Sequence, residues 1–292
     1  MKVDLHSHTT YSDGTQTVSE LLTKAERAGL GYLAITDHQS VGAHKELEKP
    51  EVRKLFSGKI IPGIELEFDH HGICNEVLGL CIDTDKVAKL DFLQDNEKKR
   101  RRLFYLRNLY DMFVGVGFKA KPYEVYLDEM TKTGIMPYTL VKKIYNDPEN
   151  QELANSLGLL KAATRYSFFR TKVDDPKSKY YAQQIIETLA QVCNAIHGAN
   201  GLAFMAHPFR ANKDNQANAL EPDVLKMLDY VVKNKLLDGL EVYRNDHTAE
   251  QTTYLEKYVK KHNLLASGGS DNHYPPEPIA DFVPAEAVTW LK

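Results

Sequence analysis

VDLHSHTTYSDG, residues 3–14, starts as an apolar strand-like run and ends on two histidines and an aspartate. On an extended strand, residues i and i+2 face the same side, so His6 and His8 can reach one point. Asp13 lies in an SDG turn just beyond and can fold its carboxylate back toward that point. The ending recurs along the chain. YLAIT (32–36) is followed by Asp37 and His38, and IIPGIE (60–65) closes on Glu65. LAFMAH (202–207) closes on His207, and LLASGG (264–269) is followed by Asp271 and His273, again two apart. Asp37 and His38 are neighbours that point opposite ways on a strand, so one of them is expected to ligate. A single histidine beside an apolar run is more often a hydrogen-bonded core residue. That explanation accounts for neither the repeated position nor the paired spacing, which together point to a metal site built from strand ends.

NEVLGLCI (75–82) and GLEVY (239–243) bring the strand-like runs to seven. Several are almost continuously apolar, as strands buried on both faces of a parallel sheet are. Helical stretches lie between them. In Thr17–Gly29, Thr17 and Glu20 form a capping box, Leu21, Leu22, Ala25 and Ala28 share a face, and Gly29 is a C-terminal stop. Further helices are expected over about 221–233 and 248–262. The alternation predicts an α/β fold with a parallel sheet, and seven strands suggest closure as a barrel. In such barrels the C-terminal strand ends form the active face, where these residues lie.

Residues 86–180 break the rhythm. They carry a basic run, Lys98 to Arg102, then helical spacing of Leu103, Leu106, Leu109, Tyr110 and Phe113. They are expected to be a helical insertion over the mouth of a barrel made from 1–85 and 181–292. A separate helical domain is the alternative. A long helix Tyr181–Ile196 would lead back to the barrel.

The net charge of −3 over 292 residues supplies no general basic field for duplex nucleic acid. Cys74, Cys81 and Cys193 form no CxxC pair and leave an odd count, which favours unbridged thiols in a reducing cytoplasm. The first residues are polar and carry motif residues, unlike a signal peptide. No apolar run is long enough to span a bilayer.

HSHTTYSDG, TDH, GIE, AHP and GSDNH resemble the successive motifs of the PHP (polymerase and histidinol phosphatase) family, from residue 3 to about residue 275. The chain is most similar to its stand-alone phosphoesterases with a helical insertion before AHP; GLEVYRNDHTAEQ adds to that likeness. The resemblance implies a distorted (β/α)7 barrel, two to three divalent ions (Mn, Zn or Fe) and cleavage of phosphate esters. It implies that His6, His8, Glu65 and Asp271 surround one ion. Glu65 would bridge to a second ion shared with His207, and Asp13, His38 and His273 would hold a third. Where the family often has another histidine ligand, NEVLGL places Glu76, a harder ligand. His70 or His71 is an alternative source of that ligand. The insertion's IMPYTL has Met136 and Tyr138 where that branch usually carries Arg-x-His.

The chemistry expected of such a site is in-line attack on phosphorus by a metal-bridging hydroxide held by Glu65. No Ser or Cys occupies a nucleophile elbow. Arg210, three residues past His207, is a candidate phosphate partner, and His247 a candidate substrate contact or leaving-group acid. Arg101 and Arg102 could reach a second phosphate, although such runs are usually solvated helix faces. Tyr105, Tyr110, Tyr123, Tyr126 and Tyr138 could stack a base, although packing is the commoner role. The resemblance implies a small phosphorylated substrate: a 3′,5′-nucleoside bisphosphate, a short oligonucleotide trimmed from its 5′ end, or a cyclic sugar phosphate. A non-catalytic metal or nucleotide sensor is the competing class.

Overall fold

The computed structural model describes residues 2–70, 73–133, 137–209, 222–275, 279 and 283–291. All seven predicted runs are strands: β1 (Lys2–Asp4), β2 (Leu30–Ile35), β3 (Lys59–His70), β4 (Ile73–Leu80), β5 (Leu202–Met205), β6 (Gly239–Tyr243) and β7 (Leu265–Gly268). They form one sheet in chain order. β1, β2 and β3 are parallel, as are β5, β6 and β7. Beyond the strands proper, the segments after β1 and β7 bond to each other. Leu5 N–H donates to Gly268 O (3.1 Å), Asp271 N–H to His6 O (2.9 Å), and His8 N–H to Asn272 O (3.0 Å). These bonds join the two ends of the sheet, giving the distorted (β/α)7 barrel.

One strand departs from the parallel expectation: β4 runs antiparallel to β5. Only two residues, 71 and 72, separate β3 from β4 in sequence. A parallel return needs a crossover of a dozen residues or more, so the chain must double back. The first residues of β4 therefore lie at the end of the barrel where the other strands finish.

Helix α1 (Val18–Ala28) starts where the capping box requires. Thr17 Oγ1 accepts from Glu20 N–H, Glu20 accepts from Thr17 N–H, and Gly29 ends the helix at φ +69°. Its buried face, Val18, Leu21, Leu22 and Ala25, packs with Leu33 and Ile35 of β2. Val3, Leu5, Ala34, Ile61, Leu78, Leu80 and Phe204 form a second apolar cluster. Trp290 covers Phe204 at 5.0 Å between ring centroids and donates to Ala266 O (2.8 Å).

The helix expected over Tyr181–Ile196 begins later, at Leu189, and ends at Gly198. Thr188 and Gln191 form a capping box that stops it extending backward. The residue before the cap is bonded elsewhere, Glu187 O accepting from Asp69 N–H (2.8 Å). The other two expected helices are present, Pro222–Lys233 and Ala249–His262.

Two compact units divide the chain: Met1–His70 with Asn75–Leu90 and Glu187–Lys292, and His71–Cys74 with Asp91–Ile186. The second is built from helices, the longest being Asp95–Gly115. It has its own core of Leu106, Leu109, Phe113, Leu140, Ile144 and Val173. Tyr105 and Tyr126 are buried in that core, with Tyr110 and Tyr123 packed against it, so these four are packing residues there. Tyr138 is exposed, its ring 5.1 Å from that of Phe169. Among the described residues no helix is long and apolar enough to cross a membrane.

Candidate metal centre

The chain after β1 stays extended because buried Ser7 is tied to β2 and the residue that follows it. Its Oγ donates to Ala34 O (2.6 Å), and its carbonyl accepts from Thr36 N–H (2.9 Å). His6 and His8 therefore share the opposite side, with their Nε2 atoms 3.1 Å apart. Two glycines allow close approach here. A Cβ on Gly269 would lie 2.5 Å from His6 Cβ, and one on Gly14 would lie 2.6 Å from the His8 carbonyl carbon. The SDG and SGG sequences are thus packing requirements of the histidine segment.

Around it the structure assembles three overlapping groups of donors: His6, His8, Glu65 and Asp271; His38, Glu65 and Glu76; and His8, Asp13, His38 and His273. Glu65, fully buried on β3, lies at the junction. His6 Nε2 and His8 Nε2 are each 3.2 Å from its Oε2, and His38 Nδ1 is 3.3 Å away. Asp271 Oδ1 is 3.3 Å from His6 Nε2 and 3.1 Å from His8 Nε2. His207 Nε2 lies 3.1 Å from Glu65 Oε1 and 3.0 Å from Glu76 Oε2. Glu76 reaches this point because β4 runs backward. At the solvent edge, Asp13 Oδ2 is 3.3 Å from His273 Nε2 and 3.7 Å from His38 Nε2. His8 and His38 each show a different ring nitrogen to each of two groups: His8 Nε2 faces Glu65 and Asp271 and its Nδ1 faces Asp13, while His38 Nδ1 faces Glu65 and Glu76 and its Nε2 faces Asp13. A neutral imidazole has one lone pair, so each can serve only one ion at a time.

The donor set suits divalent cations. Glu65 Oε2 and His38 Nδ1 are buried and form no hydrogen bond, although three imidazole nitrogens crowd that oxygen. A buried acceptor left without a donor costs about 1–3 kcal/mol, which a cation among these lone pairs would offset. Mixed imidazole and carboxylate donors fit Zn, Mn or Fe. The backbone is strained at the same place: His207 has φ +27° and Asp271 φ +54°.

The imidazoles and carboxylates of the site shift one another's pKa values. Burial lowers the His8 pKa, but the neighbouring carboxylates of Asp271 and Glu65 outweigh it and raise the value to about 9. Burial likewise opposes His207, while Glu65 and Glu76 raise it to about 9. For Asp13, burial pushes upward, yet His273 and the neighbouring imidazoles lower it to about 2. Burial also penalises the charged form of Asp271, but His6 and His8 hold its carboxyl far below the usual range.

Beside Asp37, which the sequence offers as the alternative to His38, the site includes Asp4, Glu241 and Arg244, which the sequence does not single out. Asp37, the neighbour of His38, turns away and accepts from Thr9 N–H (2.7 Å), Thr9 Oγ1 (2.7 Å) and Ser12 Oγ (2.6 Å), shaping the loop that carries Asp13. Asp4 accepts from Ser270 N–H and Oγ, at 3.0 and 2.6 Å, tying the segments that bear His6 and Asp271. Glu241 is fully buried against His6 Nδ1 (3.0 Å), and Arg244 lies beside it. An acidic residue in the middle of the apolar run GLEVY was the available signal.

Other expectations fall elsewhere. Arg210, His71 and Met136 lie outside the described residues. His247 donates through Nδ1 to Val242 O (3.0 Å), and its buried Nε2 has no hydrogen-bond partner. Arg101 lies in the helical unit, bound to Glu97 (2.9 Å) and Ile185 O (3.4 Å), and Arg102 is exposed there. His44 donates to Gly63 O (2.8 Å), His197 pairs with Asp238 (2.8 Å), and His70 packs on Tyr230.

The model of the PHP domain matches residues 4–245. The chain is 29% identical over 275 residues to the 5′-3′ exoribonuclease Rnm of Salmonella typhimurium, covering 93% of this chain and 85% of that protein. It is 24% identical over 278 residues to a 3′,5′-nucleoside bisphosphate phosphatase of Chromobacterium violaceum, covering 94% and 88% respectively. A solved structure from Bifidobacterium adolescentis superposes with a TM-score of 0.60 at 24% identity, covering 98% of this chain and 93% of that one, which supports the fold.

Proposed function

The chain belongs to the PHP domain family, and from that premise we propose that it hydrolyses a phosphate ester of a small nucleotide, a 3′,5′-nucleoside bisphosphate or a short oligonucleotide. At the coarser level it is a metal-dependent phosphoesterase. The observation that carries the reading is the convergence of nine imidazole and carboxylate side chains with Glu65 at their junction, its buried Oε2 lacking a hydrogen bond. The relatives named above supply the nucleotide.

In this reading His6, His8, Glu65 and Asp271 hold one divalent ion. Glu65, Glu76 and His207 hold a second, and Asp13, His38 and His273 a third. Bound there, the ions acidify water and offset negative charge on the phosphoryl oxygens. The protein's own part is placement. Glu65 stands between the first two sites, and buried His6 and His207 keep that region away from bulk water. Asp13, 58% exposed, marks the side from which a phosphate can enter. His273 donates through Nδ1 to Asp271 O (2.7 Å), which leaves Nε2 as its ligating atom. Arg210 is assigned to pair with a phosphate oxygen, on the strength of its position three residues past His207 in sequence.

The test uses protein stripped with chelator and reloaded with Mn²⁺. Phosphate release from a 3′,5′-nucleoside bisphosphate and mononucleotide release from a short 5′-phosphorylated RNA are followed in parallel. At least one should turn over, and both should stop in His8→Ala and Asp271→Ala. Metal-saturated protein inert toward both substrates would overturn the nucleotide assignment.

A further inference from the structure

We infer that Glu241 and Arg244 are positioning residues that set two of the metal-binding groups at once, through one buried chain of hydrogen bonds. The two oxygens of Glu241 have separate tasks. Oε1 meets His6 Nδ1 at 3.0 Å, and Oε2 accepts from the backbone N–H of His207 at 2.8 Å. The first contact fixes the imidazole with its proton on Nδ1 and its Nε2 lone pair toward Glu65 and Asp271. The second holds the backbone of His207 in its left-handed conformation, where its Nε2 faces Glu65 and Glu76. One carboxylate thus orients a ligand of each of two neighbouring ions.

Arg244 completes the chain. Its side chain is 3% exposed, and Nη1 donates to Glu241 Oε2 (3.1 Å). Nη2 donates to Asp271 Oδ2 (3.3 Å), leaving Oδ1 turned toward His6 and His8. Asp246 grips the guanidinium from the far side at 2.6 and 2.9 Å. A buried cation beside a cation site would ordinarily repel metal. Here Glu241 and Asp246 neutralise it, so its effect is directional: it sets which oxygen of Asp271 is presented. Neither Glu241 nor Asp246 belongs to any of the three donor groups.

This inference rests on the metal-centre reading, and its test separates the two. Chelator-stripped wild type, Glu241→Gln and the charge-conserving double variant Glu241→Gln/Arg244→Met are titrated with Mn²⁺ by calorimetry. The visible spectrum of bound Co²⁺ is recorded in parallel. Glutamine is isosteric but cannot accept on both sides, so Mn²⁺ affinity should fall about 10–100-fold and the Co²⁺ bands should shift. The double variant leaves no unpaired charge between these two positions, so it serves if Glu241→Gln alone does not fold. It should keep the affinity loss. Wild-type affinity and an unchanged Co²⁺ spectrum in the double variant would overturn the positioning role while leaving the metal centre intact. Wild-type protein that binds no Mn²⁺ would instead overturn the metal centre, and this inference with it.

Discussion

Raising the pH should loosen the metal-free protein and tighten its hold on metal over the same interval. His8 and His207 each rise from 6.5 to about 9 in the folded chain, because burial is outweighed by the carboxylates around them. A folded pKa above the unfolded one contributes stability that is complete below the unfolded value. It is lost as pH climbs through the folded value. The window here is therefore pH 6.5 to about 9. A rise of about 2.5 corresponds to on the order of 3 kcal/mol for one histidine. The two share Glu65, so their joint contribution falls short of twice that. For a metal ion the same protons are competitors. A histidine of pKa about 9 weakens apparent affinity at pH 7 by about 100-fold, a handicap that vanishes as pH approaches 9. Urea denaturation of stripped protein across this window measures the first effect. Mn²⁺ calorimetry in two buffers of different ionisation enthalpy counts the protons released and measures the second. A stripped protein equally stable across the window, or Mn²⁺ uptake at pH 7 without proton release, would refute the reasoning.

Gly269→Ala forces a Cβ to within 2.5 Å of His6, so it should cost about 1–3 kcal/mol and reduce bound metal, read by denaturation and elemental analysis. Phe204→Ala, a fully buried ring under Trp290, should destabilise the barrel by about 3–5 kcal/mol and red-shift the tryptophan emission that reports its packing. Thr188→Ala removes the cap of the helix Leu189–Gly198 and should cost about 1 kcal/mol with metal content unchanged; loss of metal there would show that the cap also braces the site.

Much of the candidate metal centre could be read locally because strand ends announce themselves. An apolar run stops, and the next residues carry the chemistry, as at His6, Glu65, His207 and Asp271. The i, i+2 spacing placed His6 with His8, and opposite facing separated Asp37 from His38. Capping chemistry placed Thr17–Gly29, and the same chemistry at Thr188 and Gln191 starts the later helix at Leu189, against the longer span that apolar spacing predicts.

What the amino-acid sequence determined by itself was the set of seven strands, the capped helices between them and the residue types gathered at the strand ends. These depend on periodicity, turn residues and caps, whose range is a few residues. Only the tertiary structure decided that β4 runs backward and so delivers Glu76, and that Glu241 and Arg244 reach His6, His207 and Asp271. Strand direction and contacts between distant segments depend on how loops close and which buried polar groups must pair, and no local pattern records either.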